Sequence, residues 1–444
     1  MPEKKSSARN YILRQLEDGT LKAGEKLSGA REIARLTGRP LPAVQSEIEL
    51  LAQEGVLETV PRRGTFVSLK WDSRILRRNL SLYRPDLTWF DDFRKQLEEE
   101  IPEIWVTGKF ERSVFEIQTT HYVQSHYDEY LDLTDIFAEC FPDTDDFFME
   151  TFNAFRVGTR LMGVPIIYSP RVIFYNPRLL REAGCRIPAA DWSMDEFRYD
   201  IRKLCEILPA EDTFCWYPKQ FYWFNFVLRC GGTLIDPNAE ESVRIDSPET
   251  RAGLKLFRDL RYDMGIRDYH YPDDFETNFL TGRAGMLIQP REFLSYIKQA
   301  GFDEWETVPL PSVPGGVNLN VQATDVFCVR RDCVDLNLAA RLLRLLLSER
   351  FQSCLGDQSY GLPIRRSLTG KSVDFTDARD TLFLSEIPHM YSQYNLDSAE
   401  LYNLVCDGVA ALLAGDEDID TGTAELARMT RTFLKIRRQS QQIA

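Results

Sequence analysis

From about residue 81 to the C-terminus, short apolar runs alternate with longer segments of helical periodicity. Residues 164–168 and 171–176 are typical of strands, and residues 196–208 are typical of a helix. This helix follows Ser193, a good N-cap residue, and Glu196 three positions later completes a capping box. The alternation predicts an α/β fold in which the strands pair largely in parallel.

The first 70 residues have a different pattern. Helical spacing of apolar residues occurs three times before Gly55. Residues 56–60 and 65–69 then flank a turn that contains Arg62 and Arg63, which predicts a β-hairpin with a basic tip. Three helices followed by a hairpin are the element order of a winged helix-turn-helix, an α+β domain.

Charge is distributed unevenly along the 444 residues. The first 80 residues contain 15 basic and 10 acidic side chains, whereas the rest of the chain contains 39 basic and 58 acidic ones. An acidic surface repels phosphate groups, so only the N-terminal segment is suited to nucleic acid.

The N-terminal segment also resembles the GntR family of bacterial repressors, in the stretches at residues 27–34, 51–57 and 63–67. This resemblance implies that six residues contact operator DNA, on the helices or in the wing: Arg31, Leu41, Gln45, Arg62, Arg63 and Gly64. Leu41 and Gln45 stand where the family usually carries arginine, so we expect an operator that differs from the usual ones. A solvated helix face and an ordinary charged turn are the alternative interpretation of these arginines.

The larger segment resembles the family 1 extracellular solute-binding proteins, through motifs that come in the family's order. These motifs lie at residues 163–165, 174–176, 179–184, 192–197, 231–236, 246–249, 279–286, 308–316 and 361–365. The resemblance implies two α/β lobes of the periplasmic-binding-protein type that close on a ligand by a hinge motion. We therefore expect three parts: a DNA-binding domain at 1–70, a linker at 71–80 and a ligand-binding domain at 81–444.

A sugar site needs aromatic rings for stacking and polar side chains for the hydroxyls. Trp216, Tyr222 and Trp223 lie in an aromatic-rich segment and are predicted to stack on the sugar, although a core helix explains the same spacing. Six further ligand contacts are expected, from the resemblance and from a predicted strand end: Thr119, Tyr168, Ser169, Arg171, Asp325 and Arg365. For Arg365, a surface charge beside Arg366 is the alternative.

Signatures of enzymes, cofactors and metals are absent from the sequence. It contains no HExxH, GxSxG, Walker or GxGxxG motif, and its nine scattered cysteines favour reduced thiols. No apolar run approaches the ~18 residues that cross a membrane, and no apolar signal segment follows Met1. These patterns predict a cytoplasmic protein with no enzymatic activity, no cofactor, no metal and no membrane contact.

Together these observations predict a homodimeric, ligand-responsive transcription regulator. A mono- or oligosaccharide is the expected ligand, and its binding would alter the affinity for operator DNA. Two alternatives stay open at this stage. In one, the larger segment is only a dimerisation or partner-binding module, and in the other the chain is a cytoplasmic carbohydrate-active enzyme.

Overall fold

The computed structural model describes residues 7–75, 78–84, 87–107, 113–267 and 274–443, and the chain divides into two compact units. Unit 1 contains residues 1–117 and 327–345, and unit 2 contains residues 118–326 and 346–444. The predicted linker includes residues 76 and 77, which lie outside the described residues.

Helices and strands are numbered here in chain order. Up to residue 119 they are α1 Ala8–Glu17, α2 Ala30–Thr37, α3 Leu41–Gln53, β1 Leu57–Val60, β2 Gly64–Val67, α4 Trp71–Ile75, β3 Asn79–Leu82, α5 Phe90–Glu100, β4 Trp105–Thr107 and β5 Phe115–Thr119. From residue 120 to residue 290 they are α6 Thr120–Ser125, α7 Thr134–Cys140, β6 Arg156–Val157, β7 Arg160–Leu161, β8 Val164–Ser169, β9 Arg171–Tyr175, α8 Pro177–Glu182, α9 Met194–Leu204, α10 Ala210–Thr213, α11 Gln220–Arg229, α12 Pro248–Asp263, α13 Phe275–Leu280 and β10 Met286–Pro290. The remainder are α14 Phe293–Ala300, β11 Glu306–Val308, β12 Asn320–Val321, β13 Ala323–Val329, α15 Leu336–Leu346, α16 Glu349–Asp357, β14 Leu362–Pro363, α17 Arg366–Ser372, α18 Ala378–Ser385, β15 Met390–Tyr391, α19 Ala399–Ala414 and α20 Ile419–Ile443.

Unit 1 begins with α1 to α3 and the antiparallel hairpin of β1 and β2. The hydroxyl of Ser7 caps α1 by accepting a 3.1 Å hydrogen bond from the backbone of Asn10. The hairpin turn places Arg62 and Gly64 in the positive-φ region, at 64° and 111°. Apolar residues from all of these elements, with α4 and β4, share one buried cluster.

Arg9 joins this N-terminal segment to the rest of unit 1. Its guanidinium forms an ion pair with Glu54 at 2.8 Å and donates to the backbone carbonyl of Glu103 at 3.0 Å. Trp105 of β4 packs in the same apolar cluster. Beyond it, β3 pairs in parallel with both β4 and β5, which matches the sequence expectation.

Unit 2 departs from the expected parallel pairing. Strand β9 pairs antiparallel with β10 and with β11, and β8 pairs antiparallel with β14. The pairing of β12 with β15 is parallel. Apolar runs reveal that a strand is buried on both faces, but they contain no information on the direction of its neighbours, and the parallel prediction is therefore only partly correct.

A buried ion pair fixes the segment that follows β10. The guanidinium of Arg291 donates to Asp380 at 2.6 and 2.9 Å, and it also donates to the backbone carbonyls of Gly361 and Ser372. The backbone N–H of Arg291 donates to the Ser169 hydroxyl at 2.7 Å. These bonds hold the start of α14 against the end of β8.

Candidate functional site

Arg171 is the first residue of β9, and it is half-buried. Its guanidinium lies over the Phe221 ring, 4.9 Å from the ring centroid. The Nε atom is buried without a hydrogen-bond partner, and the backbone N–H donates to Asn320 Oδ1 at 3.3 Å. Among the described residues, no carboxylate forms an ion pair with this guanidinium. Arg171 therefore offers hydrogen-bond donors to a molecule from outside the chain.

His121 lies near Arg171, in the first turn of α6. Its Nδ1 atom is 3.2 Å from the hydroxyl of Thr119, and its ring stacks on Tyr402 with the centroids 5.4 Å apart. Burial and the nearby charge of Arg171 lower the pKa of His121 to about 4. The imidazole is therefore neutral at pH 7, and it can both donate and accept a hydrogen bond.

Glu292 immediately follows the anchored Arg291 and is the N-cap residue of α14. The side chain is buried, and its Oε2 atom has no hydrogen-bond partner. Burial and the charge of Asp325 raise the pKa of Glu292 to about 7, although Arg171 and Arg291 act in the opposite direction. A neutral carboxyl group therefore coexists with the ionised form near physiological pH.

Tyr394 completes the surroundings of Arg171. Its backbone N–H donates to the side chain of Gln124 at 3.1 Å, and its hydroxyl lies beside the amide of Gln220. Burial raises the pKa of Tyr394 to about 12, and the charge of Arg171 opposes this rise. We call Arg171 and the groups around it the Arg171 cluster: Arg171, Phe221, His121, Tyr402, Glu292, Asp325 and Tyr394.

Several residues predicted from the sequence lie in or beside the Arg171 cluster. Arg171 is its centre, and Thr119 contacts His121. Asp325 is buried, accepts a 3.0 Å hydrogen bond from the hydroxyl of Tyr360, and acts electrostatically on Glu292. Ser169 contributes indirectly, because its hydroxyl accepts from the backbone of Arg291.

Three predicted aromatic residues are buried in the core of unit 2. Trp216 donates its indole N–H to the carbonyl of Phe257 at 2.7 Å and stacks on that ring. Tyr222 lies 3.6 Å from the Sγ atom of Cys215. Trp223 is fully buried, and its indole N–H has no partner. For Trp216 and Tyr222 these are the contacts of core residues, and their role in ligand binding stays a prediction.

Tyr168 and Arg365 also have contacts within the protein. The buried Tyr168 ring lies 5.4 Å from Phe148, and its hydroxyl has no partner. The Arg365 guanidinium donates to Asp146 at 2.8 Å and to the carbonyl of Leu347 at 2.7 Å. Among the described residues, neither Tyr168 nor Arg365 has a hydrogen bond, ion pair or ring contact with Arg171.

Five members of the Arg171 cluster were not predicted from the sequence: Phe221, His121, Tyr402, Glu292 and Tyr394. They come from segments up to 281 positions apart, between His121 and Tyr402. Only Glu292 carried a local signal, because a carboxylate at the start of an apolar helical segment is typical of an N-cap region.

Over about 80% of the chain, the fold is the two-lobed α/β fold of the sugar-binding proteins of ABC transporters. One similar solved structure is an ABC transporter solute-binding protein from Thermotoga lettingae bound with α-D-tagatose. It matches with a TM-score of 0.69 and 15% identity over 80% of this chain and 99% of that one. Another is UgpB from Mycobacterium tuberculosis in complex with glycerophosphocholine, with a TM-score of 0.67 and 14% identity over 81% and 98%.

Two curated proteins are related in sequence. A Brucella abortus protein named as a binding protein is 22% identical over 229 residues, which cover 49% of this chain and 54% of the relative. An uncharacterised lipoprotein of Streptomyces antibioticus is 28% identical over 217 residues, which cover 45% and 47%. The chain thus spans about half the length of these relatives. No family model matches the sequence.

These comparisons overturn the predicted function. The matching proteins are solute-binding proteins and a lipoprotein, so the prediction of a transcription regulator on operator DNA is wrong, and so is the cytoplasmic location. The homodimer stays a prediction. Helix α3 supplies a physical reason, because its sequence LPAVQSEIELLAQ contains two glutamates and no basic residue. A helix placed between DNA phosphates without a cation gains no electrostatic attraction.

Because that function is not supported, the DNA contacts predicted with it lose their basis. They were assigned to Arg31, Leu41, Gln45, Arg62, Arg63 and Gly64. Arg31, Arg62 and Arg63 are exposed, in agreement with the alternative interpretation of a solvated charged surface. The predicted lack of enzymatic activity agrees with the matching structures, which are those of substrate-binding proteins. Within the described residues, no helix is long and apolar enough to cross a membrane.

Proposed function

We propose that unit 2 binds a small carbohydrate or a similar polyol at the Arg171 cluster. The observation that carries this proposal is the presence of two unsatisfied groups that influence each other electrostatically, the guanidinium of Arg171 and the buried Oε2 atom of Glu292. A buried polar atom without a partner is costly, and a solute with several hydroxyl groups can satisfy donors and acceptors together. Phe221 and Tyr402 add aromatic surface of the kind on which sugar rings pack.

The comparisons support the same class of solute. Similar structures hold α-D-tagatose in the Thermotoga protein and glycerophosphocholine in UgpB, and both solutes are rich in oxygen atoms. We further propose that the protein delivers its solute to an ABC transporter, because the Thermotoga relative is named an ABC transporter solute-binding protein. Sequence identities of 14–15% support only the similarity of fold, and the transport role is therefore a proposal.

A thermal-shift panel of monosaccharides, oligosaccharides and polyols, followed by calorimetry on each hit, tests the proposal. We expect at least one solute to raise the melting temperature. Arg171→Ala should weaken its binding at least 10-fold, because a desolvated hydrogen bond to a charged group is lost. Arg181→Ala is the matched control, since Arg181 is an exposed arginine of the same unit, and it should leave the affinity unchanged.

Two outcomes would refute this proposal. One is a complete absence of binding across the panel by a folded protein. The other is binding that Arg171→Ala and Arg181→Ala affect equally, since the solute would then be held away from the Arg171 cluster.

We also infer that the N-terminal segment has the arrangement of a winged helix, with its boundary near residue 70 and the larger domain beginning near residue 81. The order of α1, α2, α3 and the hairpin supports this arrangement. The bonds of Arg9 to Glu54 and Glu103 support a structural role, because they fix the segment to the rest of unit 1. Arg9→Met should speed proteolysis between residues 70 and 80, while Arg35→Met, at an exposed pair with Glu32, should not.

A further inference from the structure

We infer that the solute carries an acidic group, a carboxylate or a phosphate, which binds the guanidinium of Arg171 while the carboxyl group of Glu292 donates a hydrogen bond to it. This inference rests on the proposed function, because it concerns the same site. It narrows the solute class from neutral sugars to sugar acids, sugar phosphates and similar anionic polyols.

Within the part of the chain that the structure describes, Arg171 lacks the carboxylate counter-ion that many buried or half-buried arginines of unit 2 have. The same is true of the buried Arg229 in α11, whose Nε and Nη2 atoms have no partner there. At several places a buried or half-buried arginine reaches a carboxylate within 3.1 Å, in the following pairs: Arg198–Asp263, Arg261–Asp416, Arg291–Asp380, Arg365–Asp146, Arg379–Asp377 and Arg431–Asp246. The Arg171 guanidinium lies over a phenyl ring instead, and its N–H groups have no acceptor among the described residues. A half-buried guanidinium without a carboxylate is suited to an anion from outside the chain.

Neighbouring titratable groups supply the missing negative charge only in part near neutral pH. His121 is neutral, because burial and Arg171 lower its pKa to about 4. Glu292 is protonated over much of the range below pH 7, because burial raises its pKa to about 7. Asp325 acts electrostatically on Glu292, accepts a hydrogen bond from the hydroxyl of Tyr360, and forms no ion pair with Arg171 among the described residues. The charge of Arg291 is balanced by Asp380.

Glu292 fits an acidic solute better than a cationic one. Its side chain is buried to more than nine-tenths, with Oε2 unsatisfied. A neutral carboxyl group has one O–H donor, and an anionic oxygen is the strongest acceptor it can meet. An anion next to Glu292 also favours the protonated form, since a second negative charge nearby is repelled.

The geometry of the guanidinium also favours an acidic solute. Its planar donors can hold a carboxylate or phosphate by two parallel hydrogen bonds, a match that a single sugar hydroxyl cannot make. The Phe221 ring covers one face of the guanidinium and excludes water from it, which strengthens a charged hydrogen bond at its edge.

Calorimetric titrations of matched pairs test this inference: D-glucuronate against D-glucose, D-galacturonate against D-galactose, and glycerol 3-phosphate against glycerol. We expect the acidic member of at least one pair to bind 10-fold or more tightly than its neutral partner at pH 6.5. Arg171→Gln should reduce that ratio to near one, Arg171→Lys should restore part of it, and Arg181→Gln should not change it.

Failure of this inference is distinguishable from failure of the proposed function. Neutral sugars that bind as tightly as their acids, or more tightly, would overturn the acidic-group inference and leave a sugar-binding protein. An acid preference that persists in Arg171→Gln would overturn the assignment to Arg171. If no compound of the matched pairs binds, acidic or neutral, and no solute of the thermal-shift panel binds either, the proposed function itself would be overturned.

Discussion

Arg291 and Asp380 form a buried ion pair, with Nε and Nη2 of the arginine 2.6 and 2.9 Å from the two carboxylate oxygens. Arg291 is fully buried, and the backbone carbonyls of Gly361 and Ser372 accept its remaining donors. Because Glu292 is the next residue, this ion pair helps to fix the position of Glu292 in the Arg171 cluster.

The first prediction concerns the removal of that charge. Asp380→Asn leaves a buried guanidinium uncompensated, and we expect it to lower the free energy of unfolding by about 3–5 kcal/mol. Urea unfolding followed by tryptophan fluorescence measures the change. Glu304→Gln is the control, because the pair of Glu304 with Arg178 is exposed and should contribute less than about 1 kcal/mol. Equal shifts in the two variants would contradict the role given to Arg291.

Glu292 should make stability depend on pH. Its pKa is about 7 in the folded protein and ~4.3 in an unfolded chain, so the folded state binds more protons between these values. The free energy of unfolding therefore falls as the pH rises from about 4.3 to 7, by at most ~1.4 kcal/mol per unit. Glu292→Gln stays neutral, and should gain stability relative to the wild type from pH 5 to pH 7. A constant difference between pH 5 and pH 8 would argue against a buried, protonatable carboxyl group.

His121 should act in the opposite direction. Its pKa is about 4 in the folded protein and ~6.5 in the unfolded chain, so the unfolded state binds more protons between these values. Stability that is present above pH 6.5 is lost as the pH falls toward 4. In His121→Gln this loss should disappear, so the urea midpoint of the wild type should fall more than that of the variant between pH 6.5 and pH 4. His389→Gln provides the comparison, and midpoints that fall equally in both variants would show that His121 is not the cause.

Gly253 is required by the close approach of α12 to α11. A Cβ atom at this position would clash with the Cα atom of Val227, so Gly253→Ala should separate the helices and cost about 1–3 kcal/mol. Gly370→Ala is the control, because Gly370 is exposed in α17 with open space around it. Alanine should stabilise that helix by up to ~1 kcal/mol. A melting temperature unchanged by Gly253→Ala would contradict the close packing.

Local structure was predictable from the sequence wherever short-range chemistry determines it. The capping box of Ser193 and Glu196 is present, with the two side chains 2.8 Å apart, and α9 begins directly after it. Strands β8 and β9 and the hairpin of β1 and β2 also lie where the apolar pattern placed them. Strand direction in unit 2 was not predictable, because it depends on partners that are distant in the chain.

The candidate site was only partly predictable for the same reason. Arg171, Thr119 and Asp325 were found because each stands at a strand or beside a recognisable motif. His121 and Glu292 meet Arg171 only through the tertiary fold, and the sequence pattern around them is that of ordinary helix starts. The predicted function was wrong because a pattern of three helices and a hairpin predicts local structure only, and α3 lacks the basic side chains that attract DNA phosphates.

A crystal structure of the protein with the tightest-binding solute of the panel tests the central claim most directly. The account predicts an oxygen atom of that solute within about 3.2 Å of the Arg171 guanidinium, with a second polar group of the solute bonded to Glu292. A solute bound elsewhere, with Arg171 still in contact only with Phe221 and Glu292 still unsatisfied, would contradict the account.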